Sequence, residues 1–212
     1  MVWTDTPENA WNNCIKPSIG QPKWIENSRD ISKDVKLSKR ELFGLILFAQ
    51  TYSDGEEKWL VGYDPLDTEP NDGFITNGSH KIKFEHKVVA QMDKREALNA
   101  LIETYKKYAA KGKAYGEDRY LIIHMNKTAQ GLIKVSDLKD LIDNAGECPF
   151  DAVFTIGSVA FKREISTAVM HIIKHFPKVN YSGGGGLTQI DFNLATGHGD
   201  IPHNGIKKPK DK

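Results

Sequence analysis

The stretch Pro70–Gln91, PNDGFITNGSHKIKFEHKVVAQ, contains the clearest structural pattern in this chain. Residues 81–89 alternate between apolar and charged side chains, which is typical of a β-strand with one face towards a core. The alternation predicts that Glu85 and Lys87 lie side by side on the polar face of this strand. His86 lies between them in the sequence and is therefore predicted to face the core.

A hairpin is predicted immediately before this strand. Residues 73–76 have the composition of a short strand, and Asn77-Gly78 is a favoured two-residue turn. Asp72 lies at the far end of the hairpin, so pairing of the two strands would bring it close to Glu85. The Asp72-Gly73 pair is also a common turn sequence, which leaves a purely structural interpretation of Asp72 open.

Two carboxylates and a lysine in this arrangement have a specific chemical use. Magnesium prefers oxygen ligands and usually takes only one or two protein carboxylates, which Asp72 and Glu85 could supply; manganese is the alternative ion. A bound metal lowers the pKa of its water and stabilises charge on a phosphate. Lys87 could orient the attacking water and would favour the ionised carboxylates.

Helices and further strands are predicted on both sides of this hairpin. Ser38 and Glu41 form a capping box at the start of a helix that ends before Ser53, and a second helix follows Asp93. The predicted order over residues 38–125 is helix, three strands, helix and strand. Together with later apolar strands, this order indicates an α/β fold with a mixed sheet flanked by helices.

The ends of the chain differ in composition from the middle. Residues 1–37 are predicted to be an irregular arm that packs through its tryptophans, residues 38–192 to be the α/β domain, and residues 193–212 to be a basic, flexible tail. Residues 162–178 fit either a helix or a strand; as a helix, they would place His171 and His175 on one face, a weak zinc pattern.

The motif Pro70-Asn71-Asp72 followed by Glu85-His86-Lys87 resembles the hallmark of the PD-(D/E)XK nuclease superfamily, with Asn71 inserted between the usual adjacent Pro and Asp. The resemblance covers less than half of the chain and implies a restriction-endonuclease-like fold. It also implies roles for Glu41, as the acid that many members carry on the first core helix, and for Gln91, as the glutamine that some carry after the lysine. The capping box alone explains Glu41.

The resemblance implies a metal-dependent nuclease that hydrolyses phosphodiester bonds, most readily in DNA. Asp72, Glu85, Lys87 and Gln91 would be catalytic, with Asp72 and Glu85 as metal ligands. The basic helix end formed by Lys106, Lys107, Lys111 and Lys113 would contact the nucleic-acid backbone, or would only be favoured by the helix dipole. Many nucleases of this fold act as dimers.

Two other interpretations stay open. The net charge of +1 does not create a strong field for nucleic acid, and this favours a catalytically inactive protein of the same fold that binds nucleic acid or acts as a scaffold in a larger complex. The other is a small α/β protein with unrelated chemistry. We expect a cytoplasmic protein, since Cys14 and Cys148 form no paired motif, no signal peptide is recognisable, and the apolar run Leu42–Ala49 is too short to span a bilayer.

Overall fold

The structure is a computed structural model of the 212-residue chain. It describes residues 2–18, 31–32, 35–53, 57–64, 66, 72–89, 94–125, 148–162, 167–176 and 187–200. The sequence also predicts a short helix capped by Ser136, but this segment lies outside the described ranges. The glycine run Gly183–Gly186 and the lysine-rich end beyond residue 200 lie outside them as well. None of the described helices is long and apolar enough to cross a bilayer.

The described elements are four helices, two tight helical turns and eleven strands. The helices are α1 (Pro7–Ala10), α2 (Lys39–Tyr52), α3 (Lys94–Ala109) and α4 (Lys113–Gly116). A π-helical turn (Trp11–Ile15) and a 3-10 turn (Lys16–Ser18) follow α1. The strands are β1 (Trp3–Asp5), β2 (Ile31–Ser32), β3 (Val35–Ser38), β4 (Leu60–Tyr63), β5 (Phe74–Thr76), β6 (Lys81–Val89), β7 (Arg119–Met125), β8 (Ala152–Lys162), β9 (Thr167–Phe176), β10 (Leu187–Asn193) and β11 (His198–Asp200).

Most of these strands form one mixed sheet. Within the described residues the order is β1-β4-β5-β6-β7-β8-β9-β10-β11, and β2 and β3 form a separate pair. Strands β4, β5 and β6 are an antiparallel meander, whereas β7 is parallel to β6 and β8 is parallel to β7. A parallel pair needs a crossover connection, and the segment with α3 and α4 provides it between β6 and β7. The element order predicted for residues 38–125 is therefore observed.

Helices cover both faces of the sheet. Gly44 of α2 lies against His86 of β6, and Tyr108 of α3 contacts the neighbouring residue Glu85. Successive side chains of a strand point to opposite faces, so α2 and α3 lie on opposite sides. The coarse prediction of a mixed α/β sheet flanked by helices is confirmed.

The main core lies between α2 and the sheet. Aromatic side chains dominate it: Phe48 is 4.8 Å from Phe154 and 5.3 Å from Phe84, measured between ring centroids. A second aromatic group brings together residues that are far apart in the sequence. The ring centroids of Trp11 and Phe192 are 4.8 Å apart. Burying side chains of this size supplies much of the favourable free energy of folding.

The two ends of the chain differ from their predicted descriptions. The arm 1–37 is not irregular throughout: β1 pairs with β4 at the sheet edge, and α1 begins at a Thr6 cap. Its predicted packing through aromatics is confirmed at Trp11, which is fully buried. In the segment 193–212, predicted to be flexible, residues 198–200 form β11 beside β10. The hydrophobic pattern of the sequence did not reveal β1 or β11, because each of these strands spans only three residues.

Within the ambiguous segment 162–178, residues Thr167–Phe176 form strand β9, which pairs with both β8 and β10. The premise of a helical zinc pair at His171 and His175 is therefore wrong, because both residues lie on a strand. Thr167–Phe176 is rich in β-branched residues, which pack well on a pleated surface.

We expect Trp11→Ala to lower the free energy of unfolding by about 3–5 kcal/mol, because it removes a fully buried ring from the core. The substitution also removes the hydrogen bond of 3.2 Å from the indole Nε1 to the Leu194 carbonyl. Urea unfolding would measure the change. A loss below about 1 kcal/mol would mean that the N-terminal segment is not part of the folded core.

Candidate functional site

Strand β6 extends well beyond its partner β5. The β5 pairing ends at Lys83, and the backbone of Asp72 and Gly73 continues it for a short distance. The Asp72 N–H donates to the Phe84 carbonyl at 2.8 Å, and the Phe84 N–H donates to the Gly73 carbonyl at 2.9 Å. Two residues thus face one residue of β6, as in a β-bulge, which redirects the side chains beside it.

Gly73 makes this local geometry feasible. Its backbone φ angle is 114°, a value that residues with a Cβ atom rarely adopt. The chain turns at Gly73 so that the Asp72 carboxylate reaches back over β6, where Oδ2 accepts a 2.7 Å hydrogen bond from the His86 N–H. The Asp-Gly pair therefore holds a carboxylate at the end of the paired region.

Glu85 lies on the α3 face of β6 and is buried, with only 7% of its surface exposed. The Tyr108 hydroxyl donates to Glu85 Oε1 at 3.0 Å, and the Tyr115 hydroxyl also hydrogen-bonds to this side chain. The sequence placed Glu85 correctly on the face opposite His86. It did not reveal that two tyrosines cover that face.

Lys87 is the cationic partner of Glu85. Its Nζ lies 3.3 Å from Glu85 Oε1, and its side chain is 42% exposed. The ammonium therefore bridges the buried carboxylate and the solvent. The predicted proximity of Glu85 and Lys87 is confirmed.

Asp72 lies in an unfavourable environment for a carboxylate. Burial raises its pKa to about 6, and the negative charges of Glu85 and Glu41 raise it as well. The His86 N–H and the positive charge of Lys87 act in the opposite direction. Two other acidic side chains and Lys87 thus act on Asp72 at the end of β5.

Glu41 belongs to this group because α2 begins beside the hairpin. It lies in the first turn of α2, where it is half-buried and close enough to Asp72 to affect its pKa. The resemblance to nucleases implied this location, whereas the capping box with Ser38 gave an independent reason for the residue. The side chain of Ser38 is outside the described part, so the capping interaction stays a prediction.

The opposite face of β6 carries a pair of buried histidines. The rings of His86 and His124 are stacked with centroids 5.4 Å apart. A Cβ at Gly44 would lie 2.8 Å from His86 Nε2 and 3.2 Å from His124 Nε2, so this glycine makes room for both rings. Burial lowers the pKa of His86 to about 3 and that of His124 well below its usual value. Both imidazoles are therefore neutral core residues, as predicted for His86.

The remaining predicted residues fall into two groups. Gln91 lies outside the described part of the chain, and its role stays a prediction. The four lysines Lys106, Lys107, Lys111 and Lys113 are exposed near the end of α3 and in α4. Lys106 faces Glu103 at 4.0 Å, whereas Lys111 lies over the rings of Tyr108 and Tyr115.

Tyr108 and Tyr115 are the functional candidates that the sequence analysis missed. Tyr108 lies within α3 and Tyr115 within the short helix α4, and no local motif marks either residue as part of a site. Only the crossover connection between parallel strands brings them over Glu85.

The comparisons with known proteins found no matching family model, no matching curated protein and no matching solved structure. Within the described residues, no group of three or more His, Cys, Asp or Glu side chains has the geometry of a metal centre.

We expect Asp72→Asn to stabilise the metal-free protein at neutral and alkaline pH by roughly 1–3 kcal/mol, because it removes a disfavoured charge from a partly buried position. The folded-state pKa of Asp72 is raised from 3.8 to about 6, so its stabilising contribution is present below the unfolded value and is lost as the pH rises through about 6. The asparagine keeps an acceptor for the His86 N–H. Chemical denaturation in EDTA at several pH values measures the effect.

The informative quantity is the difference in free energy of unfolding between the variant and the wild type. It should increase between about pH 4 and about pH 6 and then stay constant. Asp200→Asn, at an exposed strand residue, is the comparison variant. A difference that does not change with pH for Asp72→Asn would contradict the partly buried environment of this carboxylate.

Proposed function

We propose that this protein is a metal-dependent nuclease with a restriction-endonuclease-like core, and that Asp72, Glu85 and Lys87 form its catalytic site. The observation that carries the proposal is the convergence of these residues at the open end of the β5–β6 pair. Asp72 interacts electrostatically with both Glu85 and Lys87, and Glu85 contacts Lys87 directly.

The order of elements supports the finer fold assignment. Helix α2, the meander β4–β5–β6, helix α3 and the parallel strand β7 follow one another in the order that the nuclease resemblance implies. The acidic residue on the first helix is also in a suitable position, since Glu41 acts on the pKa of Asp72.

The chemistry of the donor set fits a hard divalent cation. Magnesium and manganese prefer carboxylate oxygens, and a cation at Asp72 and Glu85 would favour the ionised form of Asp72, which burial and the neighbouring acidic charges disfavour. When bound, such an ion would polarise a phosphate and activate a water. Glu41 could add a ligand directly or through a water.

Each protein residue has a separate task in this proposal. Tyr108 and Tyr115 hold Glu85 in one orientation, and the His86 N–H holds the Asp72 carboxylate. Lys87, which is partly exposed, places a positive charge where charge develops on the attacked phosphate. Acting through fixed hydrogen bonds, these groups need little rearrangement during the reaction.

The second candidate function is a catalytically inactive protein of the same core that binds nucleic acid or organises a larger complex. One observation favours it: Glu85 Oε1 already contacts both Tyr108 and Lys87, which reduces its freedom to bind a metal. DNA binding without cleavage would distinguish this function from a nuclease.

We expect the purified protein to cleave DNA in the presence of Mg²⁺ or Mn²⁺, and Lys87→Ala and Glu85→Gln each to reduce the rate at least about 100-fold. Lys81→Ala is the matched control, because Lys81 lies on the same face of β6 at its other end. A gel assay with linear and circular duplex DNA, and with RNA as a second substrate, measures the rates. Cleavage that survives both site substitutions would sink the proposal.

We expect the affinity for Mn²⁺ to fall roughly tenfold for each pH unit below about 6, because the ion must displace the proton from Asp72. Titration calorimetry with Mn²⁺ between about pH 5 and about pH 7 measures the dependence. The Asp72→Asn variant should bind weakly at every pH. An affinity that does not change with pH would exclude Asp72 as a ligand.

A further inference from the structure

A cluster of cations and aromatic rings lies next to Glu85. Each cation of the cluster lies near a tyrosine ring. Lys87 Nζ is 5.6 Å from the Tyr108 ring centroid, and Lys111 Nζ is 4.6 Å from the same centroid. Lys111 Nζ is also 3.9 Å from the Tyr115 ring, and Arg119 Cζ lies 5.3 Å from that ring. We call these five residues the lysine–tyrosine cluster.

The two tyrosines connect the cluster to the catalytic site. Their hydroxyls bind the Glu85 carboxylate, while their rings contact Lys111. Tyr108 is buried and packs against Phe150 with ring centroids 5.4 Å apart, so its ring is fixed. The tyrosine side chains therefore contact Glu85 at one end and Lys111 on their rings, and the packing of Tyr108 keeps its ring in place.

Lys111 differs from the other lysines near the end of α3. A cation over an aromatic face is attracted by the ring and keeps its hydrogen-bond donors for other partners. Its ammonium is held in place and is still exposed to solvent. Lys106, in contrast, extends from α3 towards Glu103 and is 54% exposed.

We infer that Lys111, held against the rings of Tyr108 and Tyr115, binds a backbone phosphate of the nucleic acid next to the phosphate that is cleaved. The inference rests on the proposed nuclease function and adds a binding subsite to it. An ammonium binds phosphate oxygens through charge-assisted hydrogen bonds as a compact point charge. Lys87 and Lys111, which both lie near the Tyr108 ring, would then contact consecutive phosphates of one nucleic-acid strand.

Each side chain of the subsite has a different role. Tyr108 and Tyr115 act through Lys111 and Glu85 and are positioning residues. Lys111 needs its charge, whereas its aliphatic part serves only to cover the rings. Lys111→Met keeps an unbranched apolar chain over the rings and removes the charge, which separates the two contributions.

The experiment is binding of a short fluorescein-labelled DNA duplex in EDTA, measured by fluorescence anisotropy between ~50 and ~200 mM salt, so that no cleavage can occur. We expect Lys111→Met to weaken binding roughly tenfold at the lower salt concentration and to reduce the salt slope by about one. Lys106→Met is the matched control and should change both quantities little. Lys111→Arg, which keeps the charge, should retain most of the affinity.

Each outcome separates the subsite from the proposed function. Equal effects of Lys111→Met and Lys106→Met would overturn the subsite, while the nuclease proposal would stand on its own cleavage assay. A selective effect of Lys111→Met in a protein that never cleaves DNA would support the subsite and overturn the nuclease. If the wild type binds neither duplex nor single-stranded DNA or RNA, both proposals fall. Thermal melting of each variant checks that the fold is intact.

Discussion

The proposed function depends on one constraint, which is the partial burial of Asp72 beside two other acidic side chains at the end of the β5–β6 pair. Burial disfavours the ionised form of Asp72, and the charges of Glu85 and Glu41 disfavour it further. Carboxylates with strongly raised pKa values cluster at functional sites. Lys87 offsets part of the repulsion, and a divalent cation would offset more of it.

Strand β6 separates two different environments. Its α2 face carries His86, which burial and the proximity of Gly44 and His124 keep neutral and fixed. Its α3 face carries Glu85, which tyrosine hydroxyls keep oriented. Since neighbouring residues of a strand point to opposite sides, one short segment provides a rigid support on one face and an oriented carboxylate on the other. Sites built on regular elements hold their geometry well.

Local sequence patterns predicted the centre of the fold and failed at its ends. The alternation in Lys81–Val89 set the strand bounds and the side chains on each face, and Glu85 and Lys87 are in contact as expected. Strand β1 and strand β11 are too short for a periodic signal, and they form because neighbouring strands offer backbone partners. Propensity is a weak guide where such tertiary contacts decide.

The candidate site was predictable to the extent that it depends on one hairpin. Asp72, Glu85 and Lys87 are near each other because of a turn and a strand, both visible in the sequence. Tyr108 and Tyr115 come from the crossover between parallel strands, and their contact with Glu85 depends on how α3 packs on β6. No local pattern encodes that packing, so the tyrosines could be found only in three dimensions.

We expect Asp72 and Glu85 to bind one divalent cation together. Anomalous diffraction from a crystal grown with Mn²⁺ would then show a peak about 2 Å from carboxylate oxygens of both residues, with Lys87 close by. No peak in a crystal with free Mn²⁺, or a peak that Asp72 and Glu85 do not touch, would contradict it.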